Sequence, residues 1–408
     1  MNTNPRPLEP TEAPGLGNDM DWAAIRARFP ATKHWTCLGI ASTAILSNAA
    51  KEAAEEVVRA HWTGDNIDKT LKPKLGEVRA RFAKLINASA DEIAVTKNVT
   101  EGLNSVAHAI DWQPGDNLVL CLDLEHPNNI YLWLALGKRG VELRIVPSKN
   151  DAIDAEAMVD AIDEHTRIVT VSTITFTPGF RCDLAVIGEA ARAAGALFLV
   201  DGVQSCGVID TDVERYKIDA LATSTSKGLL GLAGLGFLYV AEPWIERMEP
   251  AYLGRFGIKR GEGHYSEFEG HDYELSPNTQ RFEGGNYNWS GVAAAHASLA
   301  ELLAVGPARI EERVVELAGL LATGLAALGL PVTVPPDGTR RSHIVTIGTL
   351  GAGDTETTND PRLDRMARAL VEGGVRFTIR KGLLRFGLHY YNDETDIERV
   401  LEIVKPIA

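Results

Sequence analysis

Between residues 92 and 240, short and continuously apolar segments alternate with segments that carry one apolar face. The apolar segments predict strands at 92–98, 117–123, 141–147, 166–173, 196–202, 219–225 and 236–240. The intervening segments predict helices at 100–110, 130–140, 155–162 and 184–195. Strands that are apolar throughout and alternate with helices are typical of a parallel sheet covered on both faces. The pattern therefore predicts an α/β three-layer sandwich with a mostly parallel central sheet.

On both sides of this region, the regular alternation of predicted strands and helices is absent. Helices are predicted before it, at 21–30, at 47–62 with Ser47 or Asn48 as N-cap, and at 76–87. After it come long amphipathic helices at 291–306 and 308–329, and then strands mixed with helices, including one strand over 375–380. We therefore predict a flexible tail (1–20), a large domain (21–290) and a smaller α+β domain (291–408). Within the large domain, segment 21–45 could pack on the smaller domain, and residues 254–288 form long loops.

Composition narrows the function classes. The chain has 408 residues and a formal net charge of −14, which argues against binding nucleic acid or an anionic membrane through bulk electrostatics. Neither a signal peptide nor a membrane-spanning segment is predicted. The four cysteines are widely separated and lack metal-ligand spacing, so we expect no metal site, no disulfide framework and a cytoplasmic location.

Three ends of predicted strands carry polar residues, and ligands of open α/β sheets bind at such ends. Thr100 stands at a helix start that suits a phosphate, although it could simply cap the helix. Asp201 ends an apolar strand, where a carboxylate needs a cationic partner unless it only caps a turn. Lys227 is the only charge between Ala220 and Ala241, so desolvation should lower its pKa, unless its chain reaches solvent.

One ligand would use all three residues. Its phosphate would meet Thr100, its cationic ring nitrogen Asp201, and its aldehyde the amine of Lys227. Pyridoxal 5′-phosphate has these three groups. The residues alone therefore predict a cofactor bound covalently to Lys227.

The segments "FLVDGVQSCGVIDTDV" and "IDALATSTSKGLLGLAGLGFLYV" resemble the class V aminotransferase family, fold type I of the pyridoxal-phosphate enzymes. This similarity covers about residues 38–403 and includes the cysteine desulfurase and isopenicillin N epimerase-like branches. It implies that Lys227 is the Schiff-base lysine, that Asp201 pairs with the ring nitrogen, and that Gln204 contacts the ring 3′-oxygen. The remaining cofactor contacts that it implies are Val99, Thr100 and Ser224 at the phosphate, His126 stacked on the ring, and Asn286 as a looser match for a phosphate ligand from a neighbouring subunit.

The resemblance also implies a substrate site and a homodimer with the active site at its interface. Arg385 matches the arginine that holds the substrate α-carboxylate, Arg380 is a weaker second candidate, and Asn129 is a nearby polar residue. From the residues alone, Arg385 could instead form a surface ion pair, and His126 could be a solvated loop residue.

The reaction is less determined than the cofactor. No cysteine lies beyond Cys206, and the segment between Arg380 and Arg385 is short, so we expect no persulfide transfer of the cysteine desulfurase type. We favour a Cβ lyase acting on a carbon–sulfur bond of an amino acid, with an aminotransferase or an epimerase as alternatives. Outside enzymes, a phosphate- or nucleotide-binding α/β protein is the alternative. A Rossmann dinucleotide site is disfavoured because no GxGxxG follows the early strands.

Overall fold

The structure is a computed structural model that describes residues 20–259, 272–333, 335, 340–354 and 356–408. The predicted tail (1–20) lies almost wholly outside the described residues, and so does part of the predicted loop region, residues 260–271. The strands of the described part are β1 (Thr36–Cys37), β2 (Ile93–Thr96), β3 (Asn117–Leu120), β4 (Glu142–Ile145), β5 (Thr166–Ser172), β6 (Leu197–Asp201), β7 (Ala220–Ser224), β8 (Gly236–Val240), β9 (Val332–Thr333), β10 (Ile344–Ile347), β11 (Val375–Arg376), β12 (Thr378–Arg380) and β13 (Leu383–Gly387).

The helices of the described part surround these strands. They are α1 (Trp22–Arg26), α2 (Asn48–Thr63), α3 (Asp68–Ile86), α4 (Val99–Ala107), α5 (Tyr131–Gly137), α6 (Ala155–Asp160), α7 (Leu184–Ala194), α8 (Glu242–Ile245), α9 (Trp289–Val305), α10 (Pro307–Ala327), α11 (Pro361–Glu372) and α12 (Glu394–Val404).

The central sheet has seven strands in the order β2-β8-β7-β6-β5-β3-β4. All neighbouring pairs are parallel except the two that involve β8, which runs antiparallel to β2 and β7. Along β6, Phe198 and Val200 enter one apolar cluster, whereas Leu197 and Leu199 enter another. Both faces of the strand are buried, which explains why its residues 197–200 are all apolar. The predicted α/β architecture is confirmed.

The helix caps follow from local sequence. Ser47 caps α2 by accepting a hydrogen bond from the Ala50 N–H, which decides between the two predicted caps. Asn87 ends α3 in the left-handed conformation (φ 60°). The start of α3 was predicted at residue 76, but the helix begins eight residues earlier and continues through Pro73. The additional turns bury Leu71 in an apolar cluster that also includes Val57 and Ala293, a tertiary gain that outweighs local propensity.

A second, antiparallel sheet lies in the C-terminal part, in the order β12-β13-β10-β9. The single strand predicted over 375–380 is wrong, because Phe377 separates two short strands that belong to different sheets. β11 pairs in parallel with β1, whereas β12 pairs with β13. Arg26 of α1 also forms ion pairs with Asp393 and Asp396, so the N-terminal segment contacts the C-terminal part.

The long helices α9 and α10 link the two sheets. Leu299 of α9 and Val314 of α10 belong to the core around the central sheet, whereas Leu317 and Leu321 belong to the core of the smaller sheet. The two apolar cores therefore meet within α10, and the domain division at residue 290 stays a prediction. Among the described helices, no single one combines the length and apolar character of a membrane span; α9 and α10 do so only as a pair, which is bent by 81°.

Candidate active site

Asp201 and Lys227 lie at the same ends of two adjacent strands of the central sheet, β6 and β7. Asp201 is the last residue of β6 and pairs with Ala222 of β7, and Lys227 lies in the turn that follows β7. Burial lowers the pKa of Lys227 to about 8, against an opposing effect of the Asp201 carboxylate. The ammonium therefore loses its proton more readily than an exposed lysine does, which favours nucleophilic chemistry.

Asp201 is almost completely buried, and burial raises its pKa to about 6. The Val203 N–H donates to its Oδ1 at 3.0 Å, so the turn-capping contact considered for this residue does exist. That hydrogen bond and the charge of Lys227 favour the ionised carboxylate, yet they only partly offset the cost of burial. A further cationic partner, such as a protonated ring nitrogen, would offset the remaining cost of burying the Asp201 charge.

The start of α4 lies beside the end of β7. The Val99 N–H donates to the Ser224 hydroxyl oxygen at 2.9 Å, so the two predicted phosphate contacts are neighbours. The helix cap is Asn98, which accepts from the Glu101 N–H, so the alternative that Thr100 caps this helix is wrong. In the part of the chain that the structure describes, the Thr100 hydroxyl has no hydrogen-bond partner, which leaves it available beside a helix N-terminus.

Gln204 follows Asp201 by three residues and is buried. Its Nε2 donates to the Ala41 carbonyl oxygen at 2.9 Å, whereas its Oε1 is buried without any partner among the described residues. Buried amide oxygens are nearly always hydrogen-bonded, so this acceptor indicates a missing donor. The 3′-hydroxyl of a bound pyridoxal ring is a group that could supply it.

His126 is half-buried, and its ring meets the ring of Phe176 edge-on, with centroids 4.8 Å apart. Its Nδ1 accepts from the Asn128 N–H at 3.2 Å. Burial, followed by the positive charges of Lys227 and Arg385, lowers the pKa of His126 to about 4. The imidazole is therefore neutral at pH 7 and not the solvated loop residue of the alternative, although its stacking on a cofactor ring stays a prediction.

Arg385 has no exposed surface, so the alternative of a surface ion pair is wrong. Its guanidinium donates to the carbonyl oxygens of Phe176 and Ala41 at 2.6 and 3.4 Å, and to the Thr378 hydroxyl at 3.1 Å. Burial, and then the charge of Arg380, lower the pKa of Arg385 to about 9. No carboxylate of the described residues forms an ion pair with Arg385, so an anionic ligand would supply its missing countercharge.

The remaining predicted residues lie in different surroundings. Arg380 ends β12 and is close enough for its charge to act on Lys227. Asn129 is buried and uses its amide within the protein, donating to Glu125 at 3.2 Å and accepting from Trp133 at 2.9 Å. Asn286 is exposed and accepts from Arg255 at 2.6 Å. Direct contacts of these residues with ligands stay predictions.

Sequence reasoning missed Glu125, a carboxyl that is buried next to the site. It accepts from the Ser172 N–H at 2.7 Å, from Asn129, and from the Ser172 hydroxyl through a very short hydrogen bond. Ser172 pairs with Asp201 across the sheet, and burial together with the Asp201 charge raises the pKa of Glu125 to about 7. The sequence did contain a signal for this residue, because Glu125 directly precedes the candidate site residue His126.

These residues fit pyridoxal 5′-phosphate. The amine with a lowered pKa, the buried carboxylate that lacks full compensation, and the orphaned Gln204 oxygen match its aldehyde, its ring nitrogen and its 3′-oxygen. Thr100 and Ser224 stand where a phosphate would meet a helix N-terminus. The fold and this site are those of an α/β protein that binds an aldehyde cofactor, with Lys227 as the predicted attachment point.

The chain belongs to the aminotransferase class-V family, whose model matches residues 41–400. A probable cysteine desulfurase of Methanothermobacter thermautotrophicus is 31% identical over 347 residues, which are 82% of this chain and 84% of that protein. An uncharacterized aminotransferase of Bacillus subtilis is 26% identical over 379 residues, covering 92% and 95% of the two chains.

Solved structures share the fold over nearly the whole chain. The apo cysteine desulfurase of Thermococcus onnurineus NA1 superposes with a TM-score of 0.81 at 24% identity, covering 94% of this chain and 97% of that one. A variant of C-DES with glycine covalently linked to its pyridoxal-phosphate cofactor has a TM-score of 0.81 at 24% identity, with coverages of 93% and 98%. Family membership and the site together confirm pyridoxal 5′-phosphate as the cofactor.

Proposed function

We propose that this enzyme is a Cβ lyase that breaks the carbon–sulfur bond of a sulfur-bearing amino acid. The observation that carries the proposal is the tight hairpin of β12 and β13, whose Arg380 is close enough for its charge to act on Lys227. Arg380 and Leu383 pair across a turn of Lys381 and Gly382, so no loop that bears a thiol extends from this position. The related cysteine desulfurases and a structural neighbour described as the cystine C-S lyase C-DES support sulfur chemistry.

The thiols of the chain support release of sulfur over its storage on the protein. All four cysteines are free and buried. Burial raises the pKa of Cys37 and of Cys121 to about 11, and that of Cys206 to about 12. Because the thiolate is the nucleophile, protonated and inaccessible thiols are poor acceptors of sulfur from a substrate.

Bound pyridoxal 5′-phosphate supplies an electron sink next to the substrate Cα. Asp201 keeps the ring nitrogen protonated, and Arg385 binds the substrate carboxylate through its planar fork. With the cofactor bound, the Lys227 amine would take the proton from the substrate Cα, and the sulfur would leave as a thiolate with the electron pair of the Cβ–S bond. With cysteine, and with one water consumed, the products are sulfide, pyruvate and ammonia.

We also propose that the working enzyme is a homodimer. Asn286 lies on the surface of the single chain, where it contacts Arg255. The resemblance gives this position to a phosphate ligand donated by the neighbouring subunit. An exposed residue can reach a second chain, so this placement supports its predicted role at a subunit interface.

The reaction is tested with the cofactor-loaded enzyme and a panel of amino acids that includes cysteine, cystine and cystathionine. A lyase releases pyruvate and ammonia in equal amounts, together with sulfide, persulfide or thiol. Alanine formed from cysteine would instead indicate desulfuration, and would overturn the proposal. Exchange with added keto acids would indicate an aminotransferase, and loss of optical purity without products an epimerase.

The Lys227→Ala variant and a binding measurement separate an enzyme from a simple phosphate-binding protein. Wild-type protein mixed with pyridoxal 5′-phosphate should develop a visible absorption that borohydride bleaches, and the variant should not. If wild-type protein binds pyridoxine 5′-phosphate, which lacks the aldehyde, as tightly as the cofactor, Lys227 has no covalent role.

A further inference from the structure

His389 connects the C-terminal part of the chain to the lysine turn. It stands two residues beyond β13 and has no exposed surface. Its Nδ1 accepts a hydrogen bond from the Tyr390 N–H at 2.8 Å, and its Nε2 lies 2.9 Å from the Gly228 carbonyl oxygen. Because Nδ1 is the acceptor, the ring proton is on Nε2, which donates to Gly228. Burial lowers the pKa of His389 to about 4, in keeping with this neutral form.

His389 contacts the carbonyl of Gly228, the residue that directly follows Lys227 and is tightly packed. A Cβ on Gly228 would lie 2.5 Å from the Cys206 carbonyl oxygen, and a Cβ on Gly207 would lie 2.4 Å from the Gly228 carbonyl oxygen. The Gly228 carbonyl therefore lies between the Gly207 turn on one side and the His389 ring on the other. Movement of His389 would be transmitted to the backbone that carries Lys227.

The ring of His389 is itself held in place. It stacks on Tyr391, with an interplanar angle of 9° and centroids 5.4 Å apart, and meets Tyr390 edge-on at 4.7 Å. The same chain segment holds Arg385 four residues earlier, within β13. A buried hydrogen bond thus joins the segment that directly follows the strand of Arg385 to the turn of the predicted cofactor lysine.

We propose that His389 is a positioning residue, which fixes the Lys227 turn relative to Arg385 through its hydrogen bond to the Gly228 carbonyl. The proposal rests on Lys227 as the cofactor lysine, but not on the type of reaction. Loss of this bond should let the lysine turn shift, which changes the orientation of the amine towards the cofactor and towards a substrate held by Arg385.

The test compares His389→Leu, which has no polar group, with His389→Gln, whose amide N–H can still reach the Gly228 carbonyl. We expect His389→Leu to slow the reaction of pyridoxal 5′-phosphate with Lys227 in cofactor-free protein by about fivefold to tenfold, the effect of about one hydrogen bond. The pKa of the Schiff base, read from its visible absorption against pH, should shift as well, and His389→Gln should restore much of both values.

His343→Leu is the matched control. His343 is also buried, and its backbone carbonyl accepts from Leu388, but among the described residues its Nδ1 has no hydrogen-bond partner and its ring forms no hydrogen bond with the lysine turn. Burial, followed by nearby positive charges that include Lys227, holds the pKa of His343 well below its usual value, so the ring is neutral and its replacement removes no charge near the lysine. This variant should lose stability without changing the rate of Schiff-base formation. Thermal unfolding of each cofactor-free variant reports the structural cost separately.

The outcomes separate the two proposals. If His389→Leu lowers the unfolding temperature but keeps the wild-type rate and Schiff-base pKa, His389 is only structural and the inference is wrong. If His389→Leu does not fold, His389→Gln is compared with His389→Asn, whose shorter side chain cannot reach Gly228. If both variants change the rate of Schiff-base formation and the Schiff-base pKa equally, the hydrogen bond has no positioning role and the inference is wrong. If wild-type protein forms no Schiff base, the role of Lys227 is wrong, and the inference falls with it.

Discussion

The two halves of the active site balance their charges in different ways. At the central sheet, a carboxylate (Asp201) and an amine (Lys227) are both buried, and each partly compensates the charge of the other. At the smaller sheet, Arg385 and Arg380 carry charges of the same sign, and the charge of Arg380 adds to the effect of burial in lowering the pKa of Arg385. Arg385 donates to carbonyl and hydroxyl oxygens, but to no carboxylate of the described residues.

This difference indicates what each half binds. The half at the central sheet suits a cofactor that carries a cationic ring nitrogen and an electrophilic carbon, because it offers a carboxylate and an amine with a lowered pKa. The half at the smaller sheet suits an anion, because a buried guanidinium without a countercharge is unfavourable until a ligand provides one. Under the proposed function, the cofactor would therefore bind at the central sheet and the substrate carboxylate at the smaller sheet.

Replacing Lys227 should have the largest effect, because the first half loses its nucleophile and its proton carrier together. We expect Lys227→Ala to lower kcat/KM at least ~10³-fold and to abolish the absorption that borohydride bleaches. Lys138→Ala, at an exposed lysine after α5, is the matched control and should behave as wild type. An active Lys227→Ala enzyme would show that the amine has another role.

Asp201→Asn should come next, because it keeps the shape of the side chain but removes its charge. A loss of about two pKa units in the partner ring nitrogen corresponds to a fall in kcat of about 10²-fold. The effect should persist at saturating cofactor. Asp219→Asn changes another carboxyl whose pKa burial raises, at the opposite end of β7, and should leave kcat near the wild-type value. Equal losses in both variants would contradict a specific role of Asp201.

Arg385→Met tests the half at the smaller sheet. The variant keeps the volume of the side chain but not its charged fork, so KM for the amino acid should rise about 10- to 100-fold while cofactor binding stays close to wild type. Arg385→Lys should give a smaller increase, because it keeps the charge and loses only the paired hydrogen bonds. If cofactor affinity falls and KM does not change, the two halves are not separated as described.

The smallest effect concerns stability against pH in cofactor-free protein. Burial lowers the pKa of Lys227 from 10.5 to about 8, so the folded chain releases this proton at a lower pH than the unfolded chain. Between these values the unfolded state binds more protons, and stability of the wild type therefore rises with pH. Relative to Lys227→Met, the wild type should be less stable below pH 8 and should approach the variant towards pH 10.5, as measured by chemical denaturation. If the difference in unfolding free energy between wild type and Lys227→Met does not change with pH, the Lys227 amine does not have a lowered pKa in the folded protein.

The sequence predicted the first half of the site better than the second. Asp201 and Lys227 stand at ends of apolar strands, where a single charge is conspicuous, and parallel strands bring such ends to one edge. The pattern did not reveal that Arg385 is completely buried, because its strand is short and its neighbours come from Ala41 and Phe176, which are distant in the chain. Long-range contacts of this kind have no local signature.

Local patterns by themselves determined the alternation of strands and helices, the mostly parallel sheet and the lysine that is predicted to carry the cofactor. These follow from periodicity and from the cost of burying a lone charge, which are both properties of a short stretch of chain. Only the tertiary structure decided the early start of α3, the split of residues 375–380 between two sheets, and the hydrogen bond from His389 to Gly228. Each of these depends on which distant segment supplies the packing surface or the hydrogen-bond partner, and sequence spacing does not contain that information.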